Sequence, residues 1–303
     1  MKLSLFKPLW GHEGSYLAAV KQAVDAKFDG IEGAAPTDSE EQSQFGEALQ
    51  EATLQYIGEV FTGGDYVPNP LATPQEHLDD LRFGIERSLP LNPIFINTQA
   101  GLDAWPMSQQ VPFFESILEL ESEYNIPITI ETHRSRSTFN PWITHELIEV
   151  LPELRLNLDF SHWCAVAERL VMDDDPVQLL HFAGQCHHLH GRVGYAQGPQ
   201  VPDPRAPEYK PEVESHLNWW TTVWESMASR GYRSITMTPE FGTDGYLHLM
   251  PYTKKPVADL WSVNCWMAET LREQFELFSV CLTEKNESGQ RVGTTSALKS
   301  NTH

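Results

Sequence analysis

The chain has 303 residues, 41% of them hydrophobic, enough to bury a large core in a single α/β domain. Its 42 acidic residues against 21 basic ones leave a formal net charge of -21, which repels phosphate backbones and anionic bilayers and argues against nucleic acid or membrane as a partner. The four cysteines form no CxxC pair, the start MKLSLFKPLWGHEG is too short and interrupted for a signal peptide, and no apolar run nears the roughly 20 residues of a membrane span. The expectation is a cytoplasmic protein with reduced thiols.

In chain order, short runs rich in β-branched and aromatic residues alternate with segments of helical spacing. KLSLF precedes the helix candidate SYLAAVKQAVDAK; FDGIEG and LQYIGEVF follow, then the helix candidate TPQEHLDDLRFGIERSL. NPIFINTQ leads to the helical VPFFESILELESEYN, and IPITIETH, LRLNLDFSH and CHHLHGRV come next. LNWWTTVWESMASRG, the strand RSITMTPEF and a last helix from PVADLW to FELFSV complete the pattern. Several helices open on a capping Ser or Thr and some end at Asn or Gly. Eight strand-like runs alternating with helices predict a single-domain (β/α)8 TIM barrel over residues 1–283. No GxGxxG follows the first run, against an open doubly wound sheet. Two segments break the rhythm. The proline-rich 196–214 reads either as a lid over the mouth or as a rigid surface or subunit-contact loop, and 284–303 reads as a polar, flexible tail.

In such a barrel the C-terminal strand ends share one mouth. They carry His12, Glu32, Glu59 and Asn97, then Glu131 and His133, Asp159 and His162, His188, His190 and Arg192, and finally Glu240. Side chains two apart share a face, so His188 and His190 point together, with His188 a layer deeper, and His187 points away. Glu131, Asp159, His190 and Glu240 come from four successive strands. Three carboxylates and an imidazole converging on one point repel unless a cation sits between them. Singly, each reads as a capped or ion-paired strand end; together they predict one divalent ion, Mn²⁺, Mg²⁺ or Co²⁺ in preference, with Zn²⁺ admitted.

The ordered set TIETH, LDFSHW, HLHGR and TPEFG resembles the xylose isomerase-like TIM-barrel superfamily, over nearly the whole barrel. The resemblance to its ketose 3-epimerases implies a single metal on Glu131, Asp159, His190 and Glu240, with His162 beside the substrate oxygens. The endonuclease IV branch fits less well. Gln99 stands where that branch has a histidine ligand, and Asp203 is followed by Arg205 instead of a D-x-H histidine. Arg192 follows His190 by two, unlike the more distant substrate-binding arginine of the epimerases.

The expected chemistry is isomerisation or epimerisation of a sugar or polyol-ketone through an enediolate. Glu131 and Glu240 serve as base and acid on its two faces, His162 with Arg192 polarises the oxygen, and Arg192, His133 and His188 contact substrate. His133 and Glu59 are also candidates for supporting the ligands, and Trp10, His12, Trp105 and Trp163 for an aromatic rim. The alternatives are a lyase or dehydratase on a keto-sugar or C-glycoside, and a non-catalytic sugar-binding barrel. A homo-oligomer is compatible with all three.

Overall fold

The computed structural model describes residues 1–243 and 245–297, those from 283 on by backbone alone. Among the described residues eight parallel strands close into a barrel in sequential order. They are β1 (Lys2–Pro8), β2 (Gly30–Gly33), β3 (Gln55–Phe61), β4 (Ile96–Gln99), β5 (Ile128–Glu131), β6 (Arg155–Leu158), β7 (Cys186–His190) and β8 (Ser234–Thr238). Around them lie α1 (Tyr16–Asp25), α2 (Ser39–Glu51), α3 (Pro74–Ser88), α4 (Met107–Tyr124), α5 (Pro141–Val150), α6 (Phe160–Ala167), α7 (Pro176–Gln185), α8 (Lys210–Ser229) and α9 (Leu260–Ala297). The chain thus has the (β/α)8 architecture expected from its alternating runs. The tail expected over 284–303 falls where side chains, and from 298 the backbone, lie outside the described residues.

Local chemistry sets the helix ends. Ser15 caps α1 through the Ala18 amide, and Thr73 with Glu76 forms a reciprocal capping box on α3. The α4 helix stops at Asn125, whose left-handed φ of 50° lets the chain turn into β5. One expected run divides: LRLNLDFSH is strand only to Leu158, because the Asp159 carboxylate accepts from the Ser161 amide and starts α6. His162 therefore sits on the first turn of a helix. Likewise, the 196–214 segment is helical from Lys210.

Alternation along the strands sorts the barrel interior into layers. At the bottom Phe6, Ile57 and Phe95 form a small apolar cluster of their own. Gly30 makes room for it, since a Cβ there would run into the Phe6 ring and the Gln55 carbonyl. Above this plug the inward residues turn polar, beginning with Glu32, Asn97, His188 and Thr236. The main core lies between strands and helices; there Trp224 of α8 packs on Phe275 and Phe278 of α9.

That outer core holds a neutral histidine with a measurable consequence. His216 accepts from the Gly194 amide at Nε2 (3.2 Å), which leaves Nδ1 to donate to the Glu212 carbonyl at 2.8 Å. Burial pushes its imidazole down to about 4, against smaller raising effects of the Glu212 carbonyl and Asp173. With the unfolded value near 6.5, the folded state binds fewer protons between these limits. Stability contributed by His216 is whole above about pH 6.5 and is lost as pH falls toward 4, about 3 kcal/mol at 1.36 kcal/mol per unit. Urea unfolding at pH 7.5 and 4.5 should show a steeper acid loss for the wild-type chain than for His216→Asn. Equal losses would refute this assignment.

Candidate metal centre at the barrel mouth

Glu131, Asp159, His190 and Glu240 each present a ligand atom within 4.8 Å of the others, and all four are buried. Glu131 ends β5, Asp159 follows β6, His190 ends β7 and Glu240 lies two residues past β8. The strand-end positions and the resemblance both point to these four, and the fold brings them together.

Hydrogen bonds fix which atoms face the centre. Glu131 Oε2 accepts from the side-chain amides of Asn97 (3.3 Å) and Gln99 (3.2 Å), while its Oε1 is buried without a hydrogen-bond partner. Asp159 Oδ1 accepts from the Ser161 amide at 2.9 Å, and its Oδ2 pairs with Arg192. His190 Nε2 lies 3.2 Å from Glu32 Oε1. Its Nδ1, 3.0 Å from Glu240 Oε2 and 3.6 Å from Glu131 Oε1, makes no well-formed hydrogen bond. Two orphaned buried atoms, Glu131 Oε1 and His190 Nδ1, thus aim at one point. A buried donor or acceptor left so costs about 1–3 kcal/mol. With three oxygens and one nitrogen, the four residues fit a divalent ion.

Glu32 is a supporting residue whose role the strand-end reading left open. Its Oε2 receives the Thr238 hydroxyl and lies 3.1 Å from His188 Nε2, while Oε1 faces His190. A carboxylate on the far nitrogen of a ligating histidine fixes the ring's tautomer and orientation. His188 is fully buried one layer below, between Glu32 and the Thr236 hydroxyl (2.8 Å), outside the space at the mouth. His187 turns outward toward Tyr232.

The electrostatics follow from crowding. Burial would raise Glu131, but His190, with His133 and Arg192, outweighs it and holds the carboxyl at about 2. Glu240 is raised to about 7 by burial and by Glu131, against the pull of His190 and Arg192. Burial and the neighbouring Glu240, Glu32 and Glu131 carboxylates push Glu59 well above its usual range. Burial raises Asp159 despite Arg192. His190 is disfavoured as a cation by burial, yet Glu240, Glu32 and Glu131 lift it well above its usual value. The ring of carboxylates calls for positive charge at its centre.

Arg192 supplies part of that charge. Its guanidinium contacts Asp159, the Ser161 hydroxyl (3.1 Å) and His162 Nε2, and lies 3.6 Å from Glu240. It also packs against the rings of Trp10 and Tyr246, at 5.3 and 4.9 Å, which meet each other edge to face. His162 packs against His133, with centroids 3.8 Å apart and the rings tilted by 49°, and burial pushes both imidazoles down, His133 to about 3.

Two residues that no spacing pattern indicated close the top. The hydroxyls of Tyr66 and Tyr246 meet above the centre, and the space bounded by Trp10, Glu59, Tyr66, His133, Arg192 and Glu240 is about 10 Å³. That is about what one water needs. Buried Arg136 holds the Tyr66 segment by donating to the Thr62, Asp65 and Tyr66 carbonyls. Of the expected rim, Trp10 is at the mouth. Trp105 packs on His77 and Phe113, Trp163 is in the core, and His12 Nε2 bonds the Ser15 carbonyl. The loop after β7 is tied down: Gln200 bonds both the amide (2.9 Å) and the carbonyl (3.2 Å) of Gly242.

No protein-family profile matches the sequence, and no curated protein matches it. Solved structures do. The probable 3-DHS dehydratase AsbF of Bacillus anthracis superimposes with a TM-score of 0.59 at 16% identity, covering 90% of this chain and 99% of that one. D-Psicose 3-epimerase of Clostridium cellulolyticum, solved with D-tagatose, gives 0.57 at 14% identity over 90% and 99%. The fold is that of the xylose isomerase-like TIM barrels. Within that fold, endonuclease IV of Thermus thermophilus also superimposes, at 0.57 and 13% identity over 91% and 99%. The xylose isomerase-like barrel thus hosts a dehydratase, an epimerase and a nuclease, and at these identities only the architecture carries over. No helix among the described residues is long and apolar enough to cross a membrane.

Proposed function

We propose that the chain is a divalent-metal-dependent isomerase or epimerase of a sugar or related polyol-ketone. The observation that carries this reading is the buried Glu131, Asp159, His190 and Glu240 set, with Glu131 Oε1 and His190 Nδ1 directed at its centre and lacking hydrogen bonds. Those four residues would hold the ion, which when bound supplies Lewis-acid stabilisation of the charge on an enediolate.

The protein's own groups do the remainder. Glu131 and Glu240, reaching in from β5 and from beyond β8, exchange the proton on the two faces of the substrate carbon. Arg192, backed by Asp159 and packed against Trp10 and Tyr246, orients an oxygen as a fixed donor. His133 lines the same space and His162 braces Arg192 from behind. Substrate enters when Tyr66 and Tyr246 separate, and their closure excludes water from the intermediate. A small polar substrate is favoured over nucleic acid. Position 99 is a glutamine whose Nε2 donates to Glu131, and position 205 is an arginine bound to Asp203 at 2.8 Å, so neither position supplies the histidine ligand of the endonuclease IV branch.

The test is solvent deuterium exchange into a panel of ketoses and keto-acids, with metal-stripped protein resupplied with Mn²⁺, Mg²⁺, Co²⁺ or Zn²⁺. Metal-dependent exchange at a carbon next to the carbonyl is expected, and product analysis then separates epimerisation from elimination. A protein that binds no metal and exchanges no proton across the panel would overturn the reading.

A further inference from the structure

Another group of ligand atoms lies on the outer wall of the barrel, where the proposed chemistry has no use for it. His145 and Glu149 stand four residues apart on α5, which places them on one helix face. His181 approaches from α7. Atoms of all three lie within 4.8 Å of one another.

We propose that His145, Glu149 and His181 form a second metal site that takes a zinc-class ion and ties α5 to α7. The two imidazole rings lie 4.4 Å apart, tilted by 51°, over the edge of Phe182. His145 Nδ1 and His181 Nε2 are shut off from solvent, and neither makes a hydrogen bond. The nearest anion is Glu149 Oε1, 3.3 Å from His181 Nε2 but off hydrogen-bonding geometry. Two nitrogens and one carboxylate oxygen suit Zn²⁺, Ni²⁺ or Cu²⁺, whereas Mg²⁺ and Mn²⁺ prefer oxygen-rich sets such as that at the mouth. Glu149 is 58% exposed, which leaves the solvent side open for a water as fourth ligand. The placement also has a mechanical sense: α5 leads into β6 and α7 into β7, the strands that deliver Asp159 and His190. An ion here would brace two supports of the mouth without touching it.

The experiment titrates Zn²⁺ alone into the metal-stripped full chain by calorimetry, with melting temperatures read in parallel. In an Asp159→Ala/His190→Ala background one equivalent of Zn²⁺ should still bind and raise the melting temperature by several degrees. Adding His145→Ala or His181→Ala should weaken that binding at least tenfold and abolish the shift, each variant being compared with its own metal-free melt. Should the background double variant fold poorly, the single His181→Ala chain serves, and its bound zinc should fall by one equivalent from wild type. Unchanged zinc binding on removal of His181 and of His145, or no zinc bound by a folded mouth-deficient chain, would overturn the proposal. A wild-type chain that binds only this outer equivalent, and none at the mouth, would count against the proposed function and leave this site standing.

Discussion

Glu240→Gln is expected to retain the metal while lowering turnover by about 10²–10⁴-fold, because it keeps an oxygen able to coordinate but removes the group that carries the proton. Glu131→Gln should behave differently. Glu131 Oε2 accepts from both Asn97 and Gln99 amides, so a glutamine there must turn its oxygen to those donors. Its NH₂ then points at the centre, where an ion cannot accept it. Glu131→Gln should therefore lose metal and activity together. Asp159→Ala and His190→Ala should lose the metal first, with activity partly restored at high metal concentration. Metal content by elemental analysis beside single-turnover rates separates these cases. Near wild-type turnover of metal-loaded Glu240→Gln would remove that residue from proton transfer and shift attention to His133.

Arg192→Met is expected to cost about 3–5 kcal/mol of stability in metal-stripped protein, the usual effect of leaving buried carboxylates without their cation. Arg192 is 1% exposed and balances Asp159 directly and Glu240 at 3.6 Å. Methionine preserves much of the packing against Trp10 and Tyr246, so the loss reports charge more than volume. Added Mn²⁺ should stabilise the variant more than the wild type, since a second cation then neutralises the same ring. Urea melts with and without metal give both quantities. A cost below about 1 kcal/mol would mean that the carboxylates are not relying on this guanidinium.

The fold was legible because parallel strands in a barrel read as short β-branched runs, and the ends of those runs are where polar residues collect. Asp159 and His190 could be found by alternation alone, since the pleat fixes which residues share the interior. What alternation cannot show is what a side chain does once folding has turned it. Asp159 also caps α6, which moved His162 off the strand and behind Arg192. His188 shares the face of His190 but spends both ring nitrogens one layer down. Tyr66 and Tyr246 come from loops, where no periodicity ranks one residue over another. His145 and His181 are 36 positions apart on helices whose neighbourhood the sequence does not state.

The meeting of Tyr66 and Tyr246 over a space the size of one water bears on how any measured affinity should be understood. On the proposed entry route a solute larger than water binds only to molecules in which the two rings have parted, so the apparent dissociation constant would be the intrinsic one divided by the open fraction. Weak binding of a candidate sugar would then reflect a rarely open door as much as a poor fit inside. Shortening Tyr66 would tighten inert polyols and true substrates by the same factor, whereas a change among the groups that recognise substrate would separate them.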